Sequence, residues 1–317
     1  MTEAVYDGGL EGLFAILDGV CRGAPLPDRV RLEPGLPGRL GDQSPGEQSP
    51  GDKSPGDKDP VQGDLFEAEE AGCRREGAGS GVLYPSAESP DAGGGAAKEL
   101  FVVSAAAWDE FIHAWMSEFP IAVELLRFAW KVIAAARAEG SGRPGGIRSP
   151  EARQAAKQAA ADRGDPAVAA TLSAAFKVRR EIDRLRGLLR FAPDCQGAYI
   201  ARCAPDHFVL PGLGEHFFQR FGDTPWAIVD ERRRIALACS ADGEPRLVQA
   251  AALQHPAFGR NAAEPAETGE TAESPGPDVW TELWRNYHRA VNNESRRNPA
   301  LQRQFMPVRY WKYLNEL

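Results

Sequence analysis

His216 and Arg220 stand four residues apart in LPGLGEHFFQRF, one turn of a helix, and Asp230 closes the apolar run WAIVD ten residues later. A histidine, a carboxylate and a guanidinium in one cleft would supply an acid or base and a holder for phosphate, the parts of an enzyme acting directly on DNA. The same side chains would serve as structural ion pairs, because nothing in the spacing orients the histidine. A second set closes the chain: RRNPALQRQFMPVRYWKYL (296–314) interleaves Arg296, Arg297, Arg303, Arg309 and Lys312 with Phe305, Tyr310, Trp311 and Tyr313. Cations neutralise phosphates and aromatic faces stack bases at roughly 1–3 kcal/mol each, so this mixture suits a single strand or a flipped nucleotide. The alternative is a staple, with the aromatics beside Met306 and Pro307 fastening the C-terminus and the cations forming a solvated face. Arg184 and Arg190, in REIDRLRGLLRF (180–191), join this set as phosphate contacts or as ion pairs.

Other chemistry finds little support. The sequence has no GxxxxGK[ST], no GxGxxG after a strand, no HExxH, no GxSxG and no HxE followed by PCxxC, which sets aside the common NTPase, Rossmann, zincin and deaminase readings. Five cysteines (Cys21, Cys73, Cys195, Cys203 and Cys239) are scattered without a CxxC, so neither a disulfide scaffold nor a zinc ribbon is encoded. Cys203 and His207 have a spacing a metal could use, with Cys195, His216 and Cys239 nearby, but two side chains do not make a four-ligand site. No metal and no cofactor is expected.

Charge is divided unevenly along the 317 residues. The net charge of −8 hides two acidic stretches, 31–98 at −6 and 240–279 at −5, against +3 for 171–239 and +4 for 280–317. Both acidic stretches are rich in Gly and Pro; residues 42–58 repeat a SPG-centred pentapeptide in which Pro blocks helix and Gly maximises chain entropy. The expectation is therefore one discontinuous domain, 1–33 with 99–317, interrupted by a disordered linker at 34–98 and carrying an acidic flexible loop at 240–279. Within the linker, Asp64-Leu65-Phe66 is a short apolar island that reads as a stray pair or a docking peptide. No run of eighteen apolar residues occurs, and the acidic start MTEAVYDGG lacks the order of a secretory signal, so a soluble cytoplasmic protein without membrane contact is expected.

The elements that must position these residues follow from periodicity. A strand at Val5-Tyr6 precedes a helix over about 9–20 with Leu10, Leu13, Phe14 and Leu17 on one face. Leu100–Val103 reads as a strand, and Ser104 as the N-cap of a helix carrying Trp108, Phe111, Ile112, Trp115 and Phe119. Pro120 opens a helix that is apolar nearly all round. After Pro166 a long helix turns Leu172, Phe176, Ile182, Leu185 and Leu189 inward. Strands at 190–192 and 197–204, a helix with Leu210, Leu213, Phe217 and Phe221, and a hairpin of 226–230 with 234–239 give a β-β-α-β-β order. Trp280, Trp284, Tyr287 and Val291 mark a further helix, and Asn298-Pro299 starts a final short one. The class is α+β, with helices packed on a small, mainly antiparallel sheet and two disordered Gly/Pro-rich insertions.

The opening YDGGLEGLFAIL, the 180–191 motif, HFFQRF with PWAIVDERRR, and above all NPALQRQFMPVRYWKYLNEL resemble a bacterial, uncharacterised family of DNA metabolism proteins linked to a radical SAM enzyme. The resemblance covers both ends and most of the middle. It implies a neighbouring radical SAM protein of helix-hairpin-helix character as partner, DNA as ligand, and a link to base-excision repair, since some members are joined to a uracil-DNA glycosylase domain. It supplies no reaction. Where related sequences often carry His before the Arg of the 180–191 motif, this chain has Asp183. Three roles remain at this level: a DNA-binding accessory protein, an enzyme using His216, Asp230 and Arg220, and a structural assembly subunit. A cleft, a flat basic face and an apolar patch would respectively mark the enzyme, the accessory protein and the assembly subunit.

Overall fold

The computed structural model describes residues 2–6, 9–32, 95–194, 197–241, 243–253 and 279–314. The island at 64–66, Cys73, Cys195 and most of both acidic stretches lie outside these residues.

Local signals place the helix starts. Ser149, Asp165 and Asn298 each accept a backbone N–H from the first turn of a helix whose opening residue is proline. This satisfies a donor that the helix leaves free and uses a ring already set for the helical φ. They open α5 (Pro150–Ala161), α6 (Pro166–Leu188) and α9 (Pro299–Phe305). Ser104 caps α3 (Ala105–Trp115) in the same way, through Ala107 N, as its position predicted. The remaining helices are α1 (Leu10–Cys21), α2 (Gly95–Val103), α4 (Ala122–Gly140), α7 (Leu210–Phe221) and α8 (Val279–Val291). Among the described residues no helix is long and apolar enough to cross a membrane.

Two sheets accompany them. β1 (Glu3–Tyr6) and β2 (Arg29–Leu32) form a parallel pair. The larger sheet runs β3-β4-β5-β6-β7, made of Phe191–Pro193, Tyr199–Cys203, Trp226–Asp230, Ile235–Cys239 and Arg246–Gln249. It is antiparallel except between β4 and β5, where α7 provides the crossover that a parallel pair requires. β5 and β6 are buried along their whole length. The rings of Phe191, Phe217, Phe221 and Trp226, with centroids 4.7 to 6.4 Å apart, fix α7 against this sheet.

The segments on either side of 33–94 belong to one core. α1 contributes the fully buried Leu13 and Leu17, each worth about 1.5–3 kcal/mol of burial, and Phe14 stacks on Trp108 of α3 at 5.5 Å. Asp18 of α1 accepts the N–H of Ala96 in α2 at 2.6 Å, and Arg137 of α4 joins Glu99 of α2 to the Cys21 carbonyl of α1.

Several expectations change. Leu100–Val103 is the end of a helix, since Ala96, Ala97, Leu100 and Val103 bury at helical spacing while Phe101 is 38% exposed; a four-residue apolar run does not distinguish the two states. Phe176 points outward at 62% exposure, because the inward stripe of α6 runs through Val168, Thr171, Ala175, Val178, Ile182 and Leu185. α2 begins inside the range assigned to the first linker, and β7 lies inside the range assigned to the acidic loop, completing the sheet as a fifth strand. α5, whose sequence is largely alanine and polar, gave no apolar stripe to read.

Candidate functional site

The parallel register of β4 and β5 sets Cys203 opposite Asp230, so both strands end on the same edge. The loop 204–209 and the turn 231–234 emerge there together, the usual place for a site in sheets with a parallel crossover. Glu181 of α6 lies beneath this edge, 3% exposed. Its Oε1 accepts Asp206 N at 2.9 Å and its Oε2 accepts His207 N at 2.8 Å, so one carboxylate holds the loop by its backbone.

The C-terminal tail fastens to the same carboxylate. Tyr310, 1% exposed, donates its hydroxyl to Glu181 Oε1 at 2.5 Å, and Arg309 donates to Glu181 at 3.0 Å and to the Tyr310 hydroxyl at 3.2 Å while pairing as an ion with Asp206 Oδ2 at 2.8 Å. Both residues lie in the 3₁₀ turn Val308–Tyr313. Burial alone would raise the Glu181 carboxyl, yet Tyr310, the two backbone donors and Arg309 together hold it below the usual glutamate value. Burial and then the Glu181 carboxylate push the Tyr310 hydroxyl far above the ordinary tyrosine range. In the same turn, Tyr313 donates to Glu231 Oε2 at 2.6 Å and Lys312 to the same oxygen at 3.4 Å.

A second buried node supports the edge. Arg233, 7% exposed, donates to Asp230 Oδ2 at 2.7 Å, to Glu118 Oε1 at 2.7 and 3.1 Å, and to the carbonyls of Pro205 and Asp206. Asp230 Oδ1 accepts the N–H groups of Arg232 and Arg233, closing the turn between β5 and β6. Burial raises the Asp230 carboxyl against the pull of Arg233. His207 accepts the Glu118 N–H on Nδ1 at 3.3 Å, which places its own proton on Nε2. Burial also lowers its pKa, favouring the neutral ring. The buried Cys203 thiol points at the Val229 carbonyl, and burial raises it well above the usual thiol range. Among the described residues no three His, Cys, Asp or Glu side chains gather as metal ligands.

The residues singled out from sequence divide. Asp230 is committed to its own turn and to Arg233, whereas His216, half-buried on α7, sits 4.8 Å from the Phe217 ring and near Arg186 and the exposed Arg220. Burial and those two arginines lower the His216 pKa. The groups described around His216 and around Asp230 are thus different ones. Tyr310 is buried, so its ring is not open to a base, which corrects its assignment as a stacking residue; it is the staple. Trp311 is half-buried with its indole N–H on the Met306 carbonyl at 2.8 Å. Arg296 and Arg303 are exposed, Arg303 bonding Pro299 O at 3.2 Å within its own helix.

The arginines at the C-terminal half of α6 and just beyond it meet the C-terminal residues. Arg184 donates to Gln304 O at 3.3 Å, and Arg190 lies 5.8 Å from the centre of the Trp284 ring while bonding Gly187 O at 2.8 Å. Arg180 is exposed one turn before Arg184. Burial, then Arg180 and Arg309, lowers the Arg184 pKa, against the pull of Tyr310 and Glu181. Among the described residues no carboxylate pairs with Arg180 or Arg184, whereas Arg309 shares Glu181 and Asp206.

Sequence reading missed Glu181, Glu118 and Arg233. The signal for Glu181 was present: it sits three after Val178 and four before Leu185, a charged residue in the buried stripe of α6. Glu118 and Arg233 lie 115 residues apart in loop and turn, where no periodicity points inward.

Fold and site together define an α+β domain whose C-terminal tail is clamped over the loop-bearing edge of its sheet, with a margin rich in arginine. The chain belongs to the family of the domain of unknown function DUF4130, whose model matches residues 150–316, from α5 through the closing turn. Neither a curated protein nor a solved structure gives a significant match.

Proposed function

We propose that the protein binds nucleic acid as an accessory factor of DNA metabolism, with a radical SAM protein of helix-hairpin-helix character as its partner. The observation that supports this most is the group of Arg180, Arg184 and Arg309 beside the clamp. Arg180 and Arg309 both act on Arg184, and neither Arg180 nor Arg184 forms an ion pair with a carboxylate among the described residues. Such a group is stabilised by an added anion, and a phosphate backbone brings several in a row. The partner, and a connection to uracil-DNA glycosylase and base-excision repair, rest on the end motifs alone. Direct catalysis receives less support, because Asp230, Glu181 and Glu118 already accept donors from the protein itself.

Titration of the full chain with single- and double-stranded DNA at two salt concentrations tests the binding. Affinity falling steeply with salt is the expected result. No binding to either form at low salt overturns the proposal. Turnover of DNA by the purified chain, lost in a folded His216→Ala variant, would favour the enzyme instead.

A further inference from the structure

α8 presents an apolar face that is substantially exposed. Leu283, Trp284, Tyr287 and Val291 recur at i, i+1, i+4 and i+8, which puts them on one side of the helix. They are 55%, 41%, 57% and 57% exposed. A helix of 13 residues is marginal in water unless such a face is covered. The Trp284 and Tyr287 rings lie 5.8 Å apart and tilted by 31°, a pair of flat surfaces side by side.

Two observations indicate what covers the face. The first is charge. Residues 279–314 carry seven Lys or Arg against Glu282 and Glu294 alone, within a chain of net charge −8. The second is position, for Arg190, two residues past the end of the helix that carries Arg180 and Arg184, sits over Trp284. A polyanion held on those arginines therefore passes the two rings. We infer that α8 is a stacking platform for the bases of single-stranded nucleic acid, with Trp284 and Tyr287 as the stacking rings; this rests on the nucleic-acid binding proposed above. In a duplex the bases are already stacked on one another, so the rings gain nothing from it, whereas a single strand offers free base faces. The platform thus adds to affinity only for single strands, while the arginines act on both forms.

The test compares the full chain with Trp284→Ala/Tyr287→Ala and Trp284→Phe/Tyr287→Phe variants. Binding to a labelled oligo-dT and to a duplex of equal length is read by fluorescence anisotropy. The exposed positions make loss of fold avoidable, and circular dichroism checks it. The wild type should prefer the single strand. The alanine variant should lose about tenfold or more on oligo-dT, with duplex affinity and both salt slopes unchanged, and the phenylalanine variant should retain most of the preference. Equal binding of both forms by the wild type, or an alanine variant unchanged on oligo-dT, overturns the platform and leaves the binding proposal standing. Failure of the wild type to bind either form overturns both. Binding to anionic lipid vesicles that depends on Trp284 and Tyr287, without an effect on oligo-dT, assigns the face to a membrane surface and overturns the inference.

Discussion

Removing the Tyr310 hydroxyl tests whether the tail is truly clamped. Tyr310→Phe keeps the ring in its buried place and deletes the donor to Glu181 together with an acceptor for Arg309. A hydrogen bond to a charged group contributes about 1.5–3 kcal/mol, and that is the expected loss. Glu181→Ala should cost more. It orphans the buried Tyr310 hydroxyl and the buried His207 N–H at about 1–3 kcal/mol each, hence about 2–6 kcal/mol, with the Asp206 N–H and Arg309 also released. Against a whole stability of about 5–15 kcal/mol either change is readily measured by urea unfolding. The effect also depends on pH. The folded state holds the Glu181 carboxyl below its usual value, so its contribution is complete above the unfolded pKa of about 4.3 and is lost as pH falls through the lower folded value. Tyr310→Phe removes one of the donors that lower it, so the gap between wild type and variant should narrow as pH drops from about 5 toward 3. A Tyr310→Phe cost below about 0.5 kcal/mol, or a gap that widens in acid, would refute the clamp.

Two further outcomes follow from the second node and its neighbour. Arg233→Ala should destabilise the domain by about 3–5 kcal/mol in the same unfolding assay, since it strands the buried Asp230 carboxylate; Arg233→Lys should not restore it, because one ammonium cannot reach both carboxylates and two carbonyls. The His207 ring should titrate with a midpoint below about 6.5 by NMR, because burial lowers its pKa. Its contribution to stability is then present above that pH and lost as pH falls toward the folded value, and a midpoint above the unfolded value would contradict the geometry.

How far the sequence could be read depended on the kind of signal. Caps and long stripes were legible: Ser104, the α7 stripe Leu210, Leu213 and Phe217, and the β5–β6 hairpin all lie where spacing placed them. Short segments were not, because Leu100–Val103 suits a strand or a helix end until its tertiary neighbours decide, and β7 hides in acidic, proline-rich surroundings. For the site, the 296–314 stretch was recognisable as unusual, but its residues do opposite things. Arg309 and Tyr310 turn inward to Glu181, while Arg303 and Phe305 face outward. Composition alone could not separate them. For His216 and Asp230, chain proximity said nothing about the turn that engages the Asp230 carboxylate.

The salt dependence of DNA binding in an Arg180→Ala/Arg184→Ala variant tests the central claim most directly. These two arginines lack carboxylate partners among the described residues, so their removal should leave the fold intact, weaken binding, and reduce the slope of log affinity against log salt. The reduction should be about 1.8 on duplex or about 1.4 on a single strand, if each arginine neutralises one phosphate. A folded variant whose affinity and slope match the wild type would contradict the account.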